Sequence, residues 1–280
     1  MNPVRATIML LTFLLLQVGS VRADVLVLVH GWSSDSETWV HSGVVQILDN
    51  SGWADAGIVT ATPAGISYVP APGRKSANSV YRVNLPAAAP LMLQARVLIS
   101  ELNFIRNDHP KESMTLAGHS AGGVVARLAI IQQDAPKVDR LITIGSPNLG
   151  TSRAIQGLEI ADSKPFFCPG PGVDFLKSMV GGESYDYLRY SRGALIDLVP
   201  AGPGSLIDWL NHQPHPDIEY HSVIREIPAQ GGDELVPSFS QDLNRVPVLQ
   251  GRATVYLTPA GHSLNPEDAR ILLSILSSST

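Results

Sequence analysis

The stretch MTLAGHSAGGVVARLAI, Met114 to Ile130, sets a serine among small residues between a short apolar run and a helix-like one. Ser120 adds little to a core there, and the glycines at 118, 122 and 123 cost backbone entropy on folding. Two readings compete. In one, this is an ordinary glycine-rich strand-to-helix turn. In the other, the backbone turns sharply to hold the Ser120 hydroxyl up for chemistry. Gly-x-Ser-x-Gly is a weak signal by itself, so its surroundings must decide.

Working outward, short β-branched runs alternate with helical patterns. DVLVLVHGW (Asp24 to Trp32) is an unbroken apolar run of the kind that forms a buried strand. Trp39, Val40, Val44, Ile47 and Leu48 follow at helical spacing, with Ser34 and Glu37 placed as a capping box and Gly52 past the end. GIVTATP (Gly57 to Pro63) reads as a second strand, and Ala64 to Pro86, rich in proline, glycine and serine, as a loop. Ala87 to Pro110 predicts an amphipathic helix ending before Pro110. Next come the strand and turn at Ser113–Gly123, a helix to about Pro136 and a strand in VDRLITIGSP. From about Asn148 to Pro216 regularity fades. IEYHSVIREI (Ile218 to Ile227) and RATVYLTPAGH (Arg252 to His262) are the last strands. NPEDARILLSILSS closes as a helix with Pro266 in its first turn.

Strands separated by helices predict an α/β fold with a parallel sheet and right-handed crossovers. Ligands in such sheets bind beyond the carboxyl ends of the strands. His30-Gly31-Trp32, Ser120, Asp233 and His262 all fall on that rim. A serine hydroxyl is a poor nucleophile unless a base within hydrogen-bond reach takes its proton. Histidine has the matching proton affinity, and its imidazole needs an acid to fix its tautomer. The chain supplies Ser120, Asp233 in GGDELVP and His262 in TPAGHSLNP, in the order expected of a nucleophile-elbow enzyme. Glu234, Asp197 and Asp174 compete with Asp233 for the acid. His262 is chosen over His30, His41, His109, His119, His212, His215 and His221 because it lies between the final strand and the closing helix. The oxyanion of a tetrahedral intermediate needs two donors. The backbone N–H of Ala121 and that of Trp32 in HGW are the expected pair, with His30 pinning the loop.

On these residues the chain resembles the α/β-hydrolase lipases and esterases, especially bacterial lipases with an HG-x oxyanion loop. The matching segments are LVLVHGWSSDSETW, LAGHSAGGVVAR, ITIGSPNLGT, DELVP and GHSLNPEDARILLSIL. The resemblance implies Ser120 as nucleophile, Asp233 as acid, His262 as base, and Trp32 and Ala121 as oxyanion donors. It also implies a minimal six-stranded sheet, order 4-3-5-6-7-8 in the family's strand numbering, because the chain starts near the family's third strand. The bulky third residue of the HG-x loop is similar to that of lipases acting on medium or long acyl chains. Ester hydrolysis through an acyl-enzyme is the expected activity. Thioesterase, amidase, acyltransferase or a non-catalytic hydrolase-fold binding protein are the alternatives on the same scaffold.

The interrupted segment, about residues 150–216, sits where a cap over the site is expected. Phe166, Phe167, Phe175, Leu176, Met179, Leu206, Ile207, Trp209 and Leu210 are candidates for an acyl pocket or lid, or for simple packing. His212, His215 and Asp217 do not have a recognised zinc spacing, and neither a metal nor a cofactor is expected.

The 280 residues are 44% hydrophobic and 16% charged, enough for one sizeable core. Residues 1–23 read as a signal peptide: Arg5, an apolar run from Ala6 to Val18, and Val21 and Ala23 at positions suited to signal peptidase. The expected location is therefore secreted or periplasmic. Removing Arg5 and Arg22 leaves 18 basic against 25 acidic residues, a net charge of −7 without a basic block. That argues against nucleic acid as partner and leaves a small-molecule or lipid ester, with transient contact at a lipid interface. The single cysteine, Cys168, cannot form an internal disulfide.

Overall fold

The computed structural model describes residues 23–73, 76–162 and 184–278. Residues 1–22, with the expected leader, and Phe166, Phe167, Cys168, Asp174, Phe175, Leu176 and Met179 lie outside the described residues.

Strand β1 (Asp24–Val29) is central, and its alternation explains the layering. Val25, Val27 and Val29 point into one buried cluster, with Leu91, Leu98, Val124 and Leu128. Leu26 and Leu28 point into another, with Trp39, Leu48, Leu272 and Ile275. An unbroken apolar run is what a strand covered on both faces requires. The other strands are β2 (Trp53–Thr62), β3 (Gly65–Pro70), β4 (Asn78–Val83), β5 (Ser113–His119), β6 (Arg140–Ile144), β7 (Glu219–Arg225) and β8 (Ala253–Thr258). They form one sheet in the order β3-β2-β4-β1-β5-β6-β7-β8. Every neighbouring pair is parallel except β2 and β3.

Eight strands replace the six expected. The neighbour of β1 is β4, from the segment read as loop, and the strand foreseen at Gly57–Pro63 lies one place farther out as part of β2. Arg82 hid β4, because a charged residue interrupts its apolar run. Its guanidinium is buried and paired with Glu37 at 2.6 Å and Asp55 at 3.1 Å. β3 is an edge strand with no buried residue, so it carries no alternating pattern to read.

Helices α1 (Thr38–His41) and α2 (Val44–Asn50) replace the single helix expected before Gly52; Gly43, at φ 79°, breaks it. The Ser34–Glu37 capping box does not form. Ser34 Oγ instead meets Thr38 Oγ1, and Glu37 is the Arg82 partner. α3 (Leu91–Asp108) and α4 (Ala121–Ile130) cover one face of the sheet. The Leu91 N–H at the start of α3 is capped by Asp197 Oδ2 at 2.7 Å, which removes Asp197 from the competition for the catalytic acid.

The region read as irregular is largely helical where described: α5 (Ser152–Asp162), α6 (Ser184–Tyr190), α7 (Arg192–Asp197) and α8 (Leu206–Asn211). These helices are too short to carry a long hydrophobic period. α5, α6 and α7 share a small apolar cluster of Ala161, Leu188 and Leu195 against Trp32, whereas α8 sinks Ile207 and Leu210 into the main core. α9 (Ser238–Gln241) follows β7, and α10 (Pro266–Ser277) closes the fold behind a capping box of Asn265 and Asp268.

Candidate active site

At the end of β5 the chain turns into α4 through Ser120, whose φ of 53° and ψ of −129° are unusual for a residue with a side chain. Such conformations cost on the order of 1–3 kcal/mol and persist where surrounding structure enforces them. Two glycines make the turn feasible. A Cβ on Gly122 would lie 2.3 Å from the His30 carbonyl oxygen, and one on Gly31 would lie 2.9 Å from Ser120 Cβ. The loop after β1 is thus pressed against the elbow, in van der Waals reach of Ser120.

His262 comes from the loop between β8 and α10. Its Nε2 lies 2.9 Å from Ser120 Oγ and its Nδ1 lies 2.8 Å from Asp233 Oδ2. The Asp233 side chain is wholly buried and that of His262 nearly so. Burial of a carboxylate demands hydrogen bonds, and Asp233 has them: Oδ1 accepts from the N–H groups of Leu235 at 2.8 Å and Val236 at 2.7 Å. With both oxygens fixed, the carboxylate holds His262 in the Nδ1–H tautomer and leaves Nε2 free to take a proton.

Glu234, the competing acid, does something else. Its Oε2 accepts the backbone N–H of His262 at 2.9 Å, so adjacent carboxylates hold the same histidine by ring and by backbone. Arg153 donates to the Glu234 carbonyl at 3.0 Å.

Five of the other histidines make hydrogen bonds outside this line. His119, inside the elbow, donates from Nε2 to the His262 carbonyl at 2.8 Å. Burial, reinforced by the neighbouring His262, holds its pKa well below the usual histidine value, so it stays neutral. His30 accepts the Leu85 N–H at Nε2, 2.9 Å, and its Nδ1 therefore donates to the Gly31 carbonyl at 3.0 Å. This ties the loop after β1 to the end of β4, and burial again depresses its pKa. His109 meets the Tyr81 hydroxyl, and His212 bonds the Asp208 carbonyl. His215 lies 3.3 Å from Arg127 and Asp217 pairs with Arg252, so the three residues of NHQPHPD do not converge.

Gln241 escaped the sequence reading. It is buried in α9, its Oε1 accepts the Arg225 N–H at 2.6 Å, and its Nε2 donates to the Val236 carbonyl at 2.8 Å and lies 3.2 Å from Asp233 Oδ2. It is the fourth donor around Asp233, after Leu235, Val236 and His262. Nothing in FSQDLN marks it, because its role arises only when α9 folds back beneath the loop bearing Asp233.

Ser120 opens on a narrow cavity of about 50 Å³, walled by Trp32, Ala154, Leu195, Leu198, Leu235 and Val236. The wall is largely apolar, with Thr151 and Arg153 also on it, but it does not include Leu206, Ile207, Trp209 or Leu210, the described residues foreseen for an acyl pocket. Leu206 is partly buried against the main core with Ile207 and Leu210, and Trp209 is 43% exposed. Packing, the plainer of the two expectations, describes Leu206, Ile207 and Leu210.

The arrangement of strands and elbow can now be set beside known proteins. Residues 91–160 match the PGAP1-like alpha/beta domain family. The lin2722 gene product of Listeria innocua superposes with a TM-score of 0.60 at 15% identity, covering 92% of this chain and 95% of the other. The chain has the α/β-hydrolase fold. The mature lipase BlEst2 of Bacillus licheniformis gives a TM-score of 0.59 at 16% identity over 92% of both chains. MenH from S. aureus gives 0.54 at 16% identity over 93% of this chain and 96% of its own. At such identities the likeness is one of fold. No curated protein sequence matches the chain.

Proposed function

We propose that the chain is a serine hydrolase of carboxylic esters that works through an acyl-enzyme. The observation that carries this reading is the continuous hydrogen-bonded line from Ser120 Oγ through His262 to buried Asp233, ending at an apolar slot. His262 takes the Ser120 proton as Oγ attacks the ester carbonyl. The backbone N–H groups of Ala121 and Trp32 receive the oxyanion, and His262 then passes the proton to the departing alkoxide. Water, deprotonated by the same imidazole, attacks the acyl-enzyme; the proton returns to Ser120 and the acid leaves.

The slot sets the acyl group. About 50 Å³ is small beside the roughly 150 Å³ that houses a benzene ring, so the substrate carries a short apolar acyl chain. The medium and long chains implied by the HG-x resemblance would have to extend past this slot. The leader reading adds that the enzyme works outside the cytoplasm.

Initial rates across p-nitrophenyl esters from acetate to palmitate, with amide and thioester controls, test the proposal. Rates should be highest for the shortest esters, and Ser120→Ala should lower kcat by about 10⁴-fold or more. Comparable activity in Ser120→Ala, or faster turnover of amide or thioester, would overturn it.

A further inference from the structure

Beyond the apolar slot lies a second, larger chamber. It begins at Ser33, the residue after Trp32, and is bounded by the β4–α3 loop (residues 84–89) and by Tyr187 and Tyr190 of α6. Its volume is about 490 Å³, within the ~300–1,000 Å³ range of small-molecule sites. Trp32 and Tyr187 form the partition, with ring centres 5.6 Å apart. Ser33, like Ser120, holds a positive φ, 55°, without being glycine. Strain of this kind concentrates at functional sites.

We propose that this chamber receives the alcohol portion of the substrate and that this portion is an uncharged polyol, of glycerol or sugar type; the inference rests on the ester-hydrolase reading. The wall chemistry argues for it. Asn84 Oδ1 accepts the Ser36 N–H at 3.4 Å, while its Nδ2 has no partner among the described residues. Asp35 Oδ1 accepts the Glu37 N–H at 2.9 Å, and its Oδ2 likewise has none. The Tyr190 hydroxyl has no partner among the described residues, on a residue 79% exposed. The chamber thus offers both donors and acceptors together with the apolar residues 85–89, a match for hydroxyl groups on a carbon frame. Among the described residues its lining holds no lysine, arginine or histidine, and the Asp35 carboxylate is present, which disfavours a phosphate-bearing alcohol.

The test compares butyrate esters that differ only in the alcohol: ethyl, glyceryl, glucosyl and choline, with p-nitrophenyl butyrate as the reference. The glyceryl and glucosyl esters should exceed ethyl butyrate at least tenfold in kcat/KM, mostly through KM. Asn84→Ala and Tyr190→Phe should each lower polyol-ester kcat/KM by about 3- to 10-fold, the range of one lost neutral hydrogen bond. Both should leave p-nitrophenyl butyrate within twofold of wild type. Equal rates for all alcohols, a preference for the choline ester, or variants that reduce the reference equally would overturn the polyol assignment while sparing the ester reading. Failure of the wild type on every butyrate ester would instead remove the ester reading and this inference with it.

Discussion

At the scale of single residues, the site is a set of polar groups each held by a second one. Gln241 and Glu234 act through others: one steadies Asp233, the other the backbone of His262. Gln241→Leu removes a donor near a buried carboxylate, a bond of the charged class. The expected outcome is a kcat reduced about 10- to 100-fold with KM unchanged, read from steady-state kinetics; an unchanged kcat would make Gln241 a structural clamp only. For Glu234 the pair of variants matters. Gln at 234 can still accept the His262 N–H, so Glu234→Gln should retain most activity, whereas Glu234→Ala should lose about tenfold in kcat. Equal losses in the two would show that charge, not the hydrogen bond, is what counts. Neither role was legible in the sequence, which presents Glu234 as a rival acid and Gln241 as an ordinary surface-type residue. The meeting of Ser120, Asp233 and His262 could be read because each lies in a motif that follows a strand. Their partners lie at positions only tertiary folding defines.

Among the elements, β4 shows where pattern reading stops. Its apolar positions Val80, Tyr81 and Val83 surround Arg82, and a strand carrying a buried guanidinium resembles a polar loop when only the sequence is in view. The missing information was the pair of carboxylates, Glu37 from the segment before α1 and Asp55 from β2, which converge on Arg82 from 45 and 27 residues away. Arg82→Met should therefore destabilise the protein by roughly 1–3 kcal/mol, the cost of leaving a polar partner unsatisfied, seen as a lower urea midpoint with unchanged slope. No shift would mean that the ion pairs contribute nothing to β4. By contrast β1, β5 and the closing helix were plain, because they are the elements whose apolar period is unbroken or whose cap is local. Helices α5 to α8 were obscured by their shortness, and of the two readings of Leu206, Ile207 and Leu210 it is packing that holds, because α8 packs inward.

Across the whole molecule, burial sets how stability responds to pH. Glu101 on α3 is fully buried, accepts only the Ala61 N–H at 2.9 Å, and burial pushes its pKa up to about 8. In the unfolded chain a glutamate titrates near 4.3. Below that value both states are protonated and the contribution is intact. Between about 4.3 and 8 only the folded state keeps the proton, so stability falls as pH rises through this window, by as much as a few kcal/mol. Glu101→Gln cannot ionise, and its stability should exceed that of wild type increasingly from pH 5 to pH 8 in parallel urea titrations. A constant difference across that range would count against the buried, protonated glutamate.

The same fold-wide convergence defines the candidate site, since Ser120 and His262 are 142 residues apart in sequence yet share a hydrogen bond at the sheet's carboxyl rim. The most direct measurement is intact-protein mass spectrometry after exposure to a fluorophosphonate, followed by peptide mapping. One adduct on Ser120, abolished in Ser120→Ala and slowed at least 10³-fold in His262→Ala, is the predicted result. An unlabelled protein, or a label on another residue, would contradict it.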